Sequence, residues 1–483
     1  MNTLLKAIKN HSIKISGIAV TGFLIVLSYY SEGLSGGSDS YGHFLIAKNA
    51  WSHPELILDQ WGKPLYTIIA MPFAQFGIHG IILLNIICLI GSGFFAYRIA
   101  VMLQFKFAYM AFLLTVCSPV FLDNTISSLT EPLCAFLVIW CVYLHTKSNY
   151  TLSAIMASLL PFARSEGFIV LFVFSVVIIL VQKRYYSIPL LFSGSIIFNM
   201  LGWIIQGDPF WVISQNPYIN FELSGNNICG NGGLFHYLYA GHYTFGFFVC
   251  ILLAGSIPLI LGEYFRNEEK RNSIYLLIAG IFLGYFGAHV FIWWKGMMGS
   301  CGYVRVMTVI VPLVSLLVVY VLHKSTSYIN IRLPKNGSII MQFIVTLFVL
   351  NTIYTPFRYY SYKYPLTLTE EQKQYNTLHI WYQETNYQNR TKIYLRPYFS
   401  IIANIDPYNK NEHLDFWASS LQFSKKGDIL IWDSHFGPYE CGTPLIDLEK
   451  NKDWKKIKKI IPTNVIPTVN NLPFEIHVFE KIN

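Results

Sequence analysis

Ala163-Arg164-Ser165-Glu166-Gly167-Phe168 is a charged turn between two apolar runs, Thr151 to Phe162 and Phe168 to Val181, each short for a membrane crossing. At about 1.5 Å per residue, a helix from Tyr150 to Ala163 covers only about 21 Å of a roughly 30 Å hydrocarbon core, so the turn falls below the membrane surface. Each charge near a helix centre costs roughly 2.5–3.5 kcal/mol on insertion scales. Charged turns at such depth survive only where they are buried in protein or line a wet cavity. The spacing therefore predicts a helix bundle with a polar cavity open to the outer leaflet.

The rest of the chain agrees. Of 483 residues 53% are hydrophobic and 13% charged, and the mean hydropathy is +0.43, which excludes a soluble domain of this length. Eleven apolar runs read as spans: Ile13 to Tyr30, Ile78 to Tyr97, Phe105 to Leu122, Leu133 to His145, Thr151 to Phe162, Phe168 to Val181, Ile188 to Ile205, Phe245 to Leu261, Ile274 to Trp293, Val304 to His323 and Ile339 to Tyr354. A further run, Leu65 to Phe76, has interfacial or re-entrant length. With a cytoplasmic N-terminus, alternation puts Lys6, Lys9, Lys14, Arg98, Lys106, Lys147, Lys183, Arg184, Arg266, Lys270, Arg271, Lys324, Arg332 and Lys335 on one side, as the positive-inside rule requires. These loops account for most of the net charge of +9, so it reports orientation and not nucleic-acid binding.

After about Pro356 the apolar runs shorten and charges mix. The expected organisation is a transmembrane module over 1–355, with an outer loop at 31–77 and another at 206–243, followed by a small α/β domain over 356–483 outside the membrane. Within that domain Thr369 to Tyr387 reads as a helix, and Lys392 to Arg396, Asp428 to Trp432, Lys456 to Ile461 and Phe474 to Phe479 as strands.

On this topology Asp39, His43, His53, Asp59, Glu131, Arg164, Glu166, Asp208, Glu222, Lys295 and Arg305 gather on the outer side. Arg164 has two readings: a phosphate contact, or an ion pair with Glu166 or Glu131 that fixes helix packing. Arg305 is either a bidentate phosphate ligand or an interfacial snorkelling residue. Asp39, in Gly36-Gly37-Ser38-Asp39-Ser40-Tyr41-Gly42-His43, is either a base or a helix N-cap. His43 is a second base, a substrate contact or an interfacial ring, and Asp59 binds acceptor or pairs with Lys63. The spacing of His43, His53, Asp39 and Asp59 matches no closed metal site. In an oxidising compartment Cys229 pairs with Cys301 and Cys441 stays free.

Gly-x-Asp-x-Tyr-x-His after the first span, Thr130-Glu131-Pro132 opening a later one, Arg164-Ser165-Glu166-Gly167, Gly207-Asp208-Pro209-Phe210 with Asn216-Pro217-Tyr218, and Gly302-Tyr303-Val304-Arg305 resemble the GT-C glycosyltransferases. That superfamily includes oligosaccharyltransferase catalytic subunits, protein O-mannosyltransferases, GPI mannosyltransferases and lipid A aminoarabinose transferases. The resemblance covers about the first 355 residues. It implies inverting transfer of a sugar from a polyprenyl-phosphate carrier to a glycan, lipid or protein acceptor at the extracytoplasmic face of the inner membrane, with Asp39 as general base. No Trp-Trp-Asp acceptor motif is evident, which disfavours asparagine glycosylation. No cofactor is expected, and a divalent metal is disfavoured by the single carboxylate of the loop motif. The competing functions are a lipid-linked glycan polymerase or ligase and a polyprenyl-linked glycan transporter. The partners are the lipid-linked donor, the acceptor and membrane lipid, with no nucleic acid.

Overall fold

The computed structural model describes residues 2–216, 229–264, 270–468 and 471–483. The chain divides into two units. One contains Met1–Ser31 and Pro54–Pro365, the other Glu32–His53 and Leu366–Asn483. Residues 32–53 group by contacts with the C-terminal part, and the helical unit continues to Pro365, past a helix that runs from Gly337 through Pro356 to Tyr360.

The helical unit contains α1 (Asn2–Tyr30), α3 (Pro64–Ala74), α4 (Gly77–Met102), α5 (Tyr109–Val116), α6 (Pro119–Thr125), α7 (Glu131–Thr146), α8 (Tyr150–Ala163) and α9 (Gly167–Val176), followed by further helices to Tyr360; α2 (Gly37–Asn49) belongs to the other unit. Six helical segments are long and apolar enough to cross a membrane: Ile13–Tyr30, Gly77–Met102, Tyr185–Gln206, Ile274–Lys295, Val304–Arg332 and Gly337–Lys363. Five shorter apolar helices join them: Pro64–Ala74, Glu131–Thr146, Tyr150–Ala163, Gly167–Val181 and Phe247–Gly262.

Burial sorts these helices into layers. The most apolar 18-residue stretch of Val304–Arg332 is 94% buried and forms the centre, whereas Ile13–Tyr30 is 11% buried and presents Ile15, Ile18 and Phe23 outward. An apolar helix with exposed apolar side chains is stable only in lipid. The run Phe105 to Leu122 is not one span. It breaks between α5 and α6 at Ser118-Pro119, where Ser118 is extended and Pro119 opens the next helix, as the steric demand of proline on its predecessor dictates.

The second unit is an α/β fold. Its five-stranded sheet has the order β2-β1-β3-β5-β4, made of β1 (Lys392–Tyr394), β2 (His413–Asp415), β3 (Ile429–Asp433), β4 (Trp454–Ile460) and β5 (Ile476–Lys481). β1 pairs in parallel with β2 and β3, and β5 pairs antiparallel with β3 and β4. Ile393, Leu430, Trp432, Phe436, Trp454 and Phe479 fill its core. The edge strand β4, Trp-Lys-Lys-Ile-Lys-Lys-Ile, carries four lysines and a register shift at Lys456/Lys458, both of which discourage pairing with another chain.

Two local devices tie the segments of this unit together. Thr369 and Gln372 form a reciprocal capping box at the start of the helix Glu370–Gln383. The Tyr41 hydroxyl of α2 accepts hydrogen bonds from Gln372 Nε2 at 2.9 Å and from the Leu34 backbone at 3.0 Å, and its ring packs edge-on against Tyr398.

Candidate functional site

In the helical unit the charged turn 164–166 is fixed by its glycine. A Cβ on Gly167 would lie 2.3 Å from the Leu160 carbonyl carbon and 2.6 Å from Pro161 N, so only glycine lets α9 start this close to the end of α8. That crossing holds Arg164 in place. Its Nη1 donates to Glu131 Oε1 at 2.9 Å and to Thr130 Oγ1 at 3.0 Å, and its Nη2 to Glu166 Oε1 at 2.6 Å. Glu131 is 1% exposed at the first turn of α7, so its charge depends on these contacts.

Arg305 joins from the 3-10 helix Val304–Ile310, with Nε 3.5 Å from Glu131 Oε1 and its guanidinium 4.5 Å from the Tyr303 ring centre. Asn124 of α6 holds that segment, donating to the Arg305 carbonyl at 3.0 Å and to Thr308 Oγ1 at 2.6 Å. Lys63, which is buried, donates to Gln60 O at 2.8 Å and to Ser165 Oγ at 3.1 Å. His289 Nε2 lies 3.9 Å from Glu166 Oε1. Arg164, Arg305 and Lys63 thus surround Glu131 and Glu166, with the Asp59 carboxylate within electrostatic reach of Lys63. Glu131 Oε2, Glu166 Oε2 and Arg164 Nε are buried without a hydrogen-bond partner among the described residues.

Of the residues singled out from sequence, Glu131, Arg164, Glu166 and Arg305 come together. Asp59 folds onto its own turn, accepting from Gly62 N at 2.7 Å, and the exposed Lys295 sits 3.8 Å from the centre of the Trp294 ring. Lys63 and His289 were missed as members; the Gly62-Lys63-Pro64 context was visible, but the contact with Ser165 is made across 102 positions. Cys229 and Cys301 are bonded, with Cα atoms 5.0 Å apart. Gly232 N donates to Trp293 O at 3.1 Å beside them. Glu222 and Asn226 of the 206–243 loop lie outside the described residues.

In the α/β unit, Asp39 occupies the first turn of α2, whose cap position is the left-handed Gly36 (φ 92°), so the aspartate is not the cap residue. A carboxylate there is favoured by the helix dipole. His43 is buried one turn on.

The same unit holds a network that sequence reading did not assemble. Glu371 accepts from His435 Nδ1 at 2.9 Å and from Arg396 Nη1 at 2.8 Å, and Asp433 Oδ2 accepts from Tyr375 at 2.6 Å with Arg396 Nε at 3.4 Å. Burial alone would raise the Glu371 carboxyl, but the hydrogen bond from His435 and the charge of Arg396 carry it below the usual range. Arg396 is buried as well, yet Asp433 first and Glu371 further down hold its guanidinium firmly protonated. Asp433-Ser434-His435 stood out in the sequence as a strand-to-turn segment; its partner Glu371 is 64 positions away. Among the described residues no group of three or more His, Cys, Asp or Glu is placed to hold a metal ion.

No protein-family model matches the chain, and no curated protein matches it by sequence. Solved structures do. The chain is similar to ArnT from Cupriavidus metallidurans in the apo state, with a TM-score of 0.58 and 8% identity over 97% of this chain and 98% of that one. It is similar to the same protein bound to undecaprenyl phosphate, with a TM-score of 0.60 and 8% identity over 96% and 97%. It also resembles an Archaeoglobus fulgidus oligosaccharyltransferase tethered with an acceptor peptide, with a TM-score of 0.55 and 10% identity over 88% of this chain and 70% of that one. ArnT and the oligosaccharyltransferase are GT-C glycosyltransferases, and the GT-C fold is the fold of this chain.

Proposed function

We propose that the protein is an integral membrane glycosyltransferase that moves a sugar from a polyprenyl-phosphate carrier to an acceptor on the extracytoplasmic side of the inner membrane. The observation that carries the reading is the convergence of three fixed cations in the helical unit, Arg164, Arg305 and Lys63, around Glu131 and Glu166, with Asp59 near Lys63. Arg305 is the cation assigned to phosphate, because a planar guanidinium suits bidentate recognition, and Arg164, with both Nη atoms on carboxylates, is a residue that positions it. The solved structure of similar fold that holds undecaprenyl phosphate supports the same donor class.

In the proposed reaction an acceptor oxygen attacks the anomeric carbon while the bond from that carbon to the phosphate oxygen breaks. The bonding pair leaves on the phosphate, whose added charge the fixed cations stabilise in a medium of low dielectric. The acceptor proton passes to Asp39, and attack opposite the leaving group inverts the anomeric centre.

The test is turnover of radiolabelled polyprenyl-phosphate sugars by the purified full chain in lipid nanodiscs. Wild-type turnover with loss in Asp39→Asn and in Arg305→Ala, at unchanged thermal stability, is expected. Equal turnover by Asp39→Asn assigns the base elsewhere, and no turnover of any lipid-linked sugar by the wild type overturns the reading.

A further inference from the structure

In the helical unit Arg164 and Arg305 share Glu131, and Lys363 meets Asp123. Lys147, Lys183 and Arg184 of the same unit are different. The chain has no Asp or Glu from 132 to 165 or from 167 to 207, and none of these three cations makes an ion pair among the described residues. We propose that the two turns that carry them, 147–149 after α7 and 182–184 beyond α9, form a binding site for the phosphodiester headgroup of an anionic phospholipid. The site lies in the leaflet opposite the Arg164 cluster and is independent of the transferase reading.

A buried imidazole holds the two turns together. His145, 1% exposed in the last turn of α7, has its Nε2 2.7 Å from Gln182 Nε2, and its ring meets Tyr150 at 5.0 Å and Phe174 at 5.3 Å, both edge-on. Beyond α9 the chain makes one turn of π-helix, Val177–Val181, with Gln182 N donating to Val177 O at 3.0 Å and Arg184 N to Ile178 O at 3.1 Å. Such wider turns recur at functional sites. Ser148 and Lys183 have φ of 61° and 53°, a region costly for residues other than glycine, so their surroundings hold both turns in shape.

Arg184 is the centre of the site. Its guanidinium carbon lies 3.5 Å from the centre of the Tyr150 ring, and Nη1 donates to the Tyr186 hydroxyl. A guanidinium laid on an aromatic face still presents its edge to phosphate oxygens. Lys147 and Lys183 are exposed, as are Tyr185 and Tyr186. Leu180, Ile188 and Phe192 are exposed on the same segment. Cations and tyrosines beside apolar surface suit the boundary between headgroups and acyl chains.

Neighbouring helix ends mark the same level. Arg98, Lys147 and Lys324 each follow a ring by one helical turn, 5.8 Å from Phe94, 5.1 Å from Tyr143 and 5.5 Å from Tyr320. Phe95 meets Tyr143 at 4.8 Å and Phe105 meets Tyr320 at 6.0 Å, so these ends lie on one side of the helical unit. α8 separates that side from Arg164, since its 14 residues rise about 21 Å from Tyr150 to Ala163. The positive-inside rule assigns the side to the cytoplasm, where anionic lipids concentrate and basic pockets between helices take their headgroups. Three cations on two bolted turns, with no carboxylate to neutralise them, favour a headgroup of net negative charge over a zwitterionic one.

Native mass spectrometry of the delipidated full chain, titrated with phosphatidylglycerol or phosphatidylcholine of equal chain length, tests the site. The two lipids share the phosphodiester and differ in net charge. At about fivefold per cation near a membrane surface, we expect phosphatidylglycerol to bind about a hundredfold more tightly, Arg184→Gln to lose about fivefold, and removal of all three charges to abolish the preference. Lys335→Gln, an exposed lysine in another turn on the same side, should leave binding unchanged. Should Arg184→Gln melt early, the exposed pair Lys147→Gln and Lys183→Gln carries the test, with a loss of roughly tenfold or more expected. Equal binding of the two lipids, or a loss in Lys335→Gln as large as in the site variants, overturns the site in favour of a diffuse basic surface. Displacement of the lipid by millimolar inorganic phosphate overturns the phospholipid as its occupant, leaving a site for free anions.

Discussion

Each unit is built around a buried arginine clamped by two carboxylates with an imidazole beside one of them, and the two clusters differ in how many further cations stand around that core. In the helical unit Arg164 lies between Glu131 and Glu166, with His289 at 3.9 Å, and two further cations, Arg305 and Lys63, join it, with Asp59 near Lys63. In the α/β unit Arg396 lies between Glu371 and Asp433, His435 is hydrogen-bonded at 2.9 Å, and nearby Glu440 and Asp39 make the surroundings anion-rich. The same motif of three side chains thus recurs with one cation in the α/β unit and three in the helical unit, so the number of cations added around the clamped arginine distinguishes the two.

The largest effect expected from disturbing this pairing of clusters is at Asp39. Asp39→Asn should lower donor turnover by roughly 10²–10⁴-fold, the range for loss of a general base, without a shift in melting temperature. A drop of less than tenfold would remove Asp39 from the chemistry. Next comes Arg164→Ala, which leaves the buried Glu131 with only the longer Arg305 contact; breaking a buried pair costs about 3–5 kcal/mol, so the variant should be recovered poorly or melt much earlier. Adding Glu131→Gln should restore part of that loss, and a double variant no better than the single would show that the two residues are not coupled.

Arg305→Ala should cost about one to two orders of magnitude in turnover, in line with loss of one charge-stabilising donor, with Arg305→Lys intermediate because the bidentate fork is lost. Identical activity for lysine and arginine would argue against fork recognition.

Acid should distinguish the α/β cluster by a smaller amount. Because the folded Glu371 carboxyl lies below its ordinary range, its contribution is fully present above the unfolded value of about 4.3 and disappears as pH falls through the lower folded value. Hydrogen exchange of the β3 amides should therefore quicken below about pH 4 in the wild type, and Glu371→Gln should flatten that dependence. Smallest is the disulfide: reduction should change electrophoretic mobility in the wild type and leave Cys229→Ser unmoved.

Much of the architecture was legible because a membrane imposes one-dimensional rules. Run length marks the spans, and a charged Arg-Ser-Glu-Gly between short runs marks a polar interior. Length failed where local backbone chemistry outweighed hydropathy. Ser118-Pro119 splits one apolar run into α5 and α6, and the helix Gly337–Tyr360 continues through Pro356, which a reading of proline as a stop misses. Three-residue strands such as β2 leave no alternation to detect. The Arg164 cluster was half visible, since Glu166 is two positions away and Glu131 opens a recognisable turn. Lys63, His289 and the Glu371–His435 pair became visible only in three dimensions, where long-range contacts join them.

The discontinuous make-up of the α/β unit bears on how the protein is born. Residues 32–53 emerge early, yet their partners begin at Leu366, about 300 residues later. At roughly 5–20 residues per second that is a wait of roughly 15–60 s, during which Phe44, Leu45 and Ile46 of α2 lack the surface that buries them. The membrane interface is a ready temporary shelter for such a helix. Maturation of the chain is then a return, in which the last segment made retrieves one of the first.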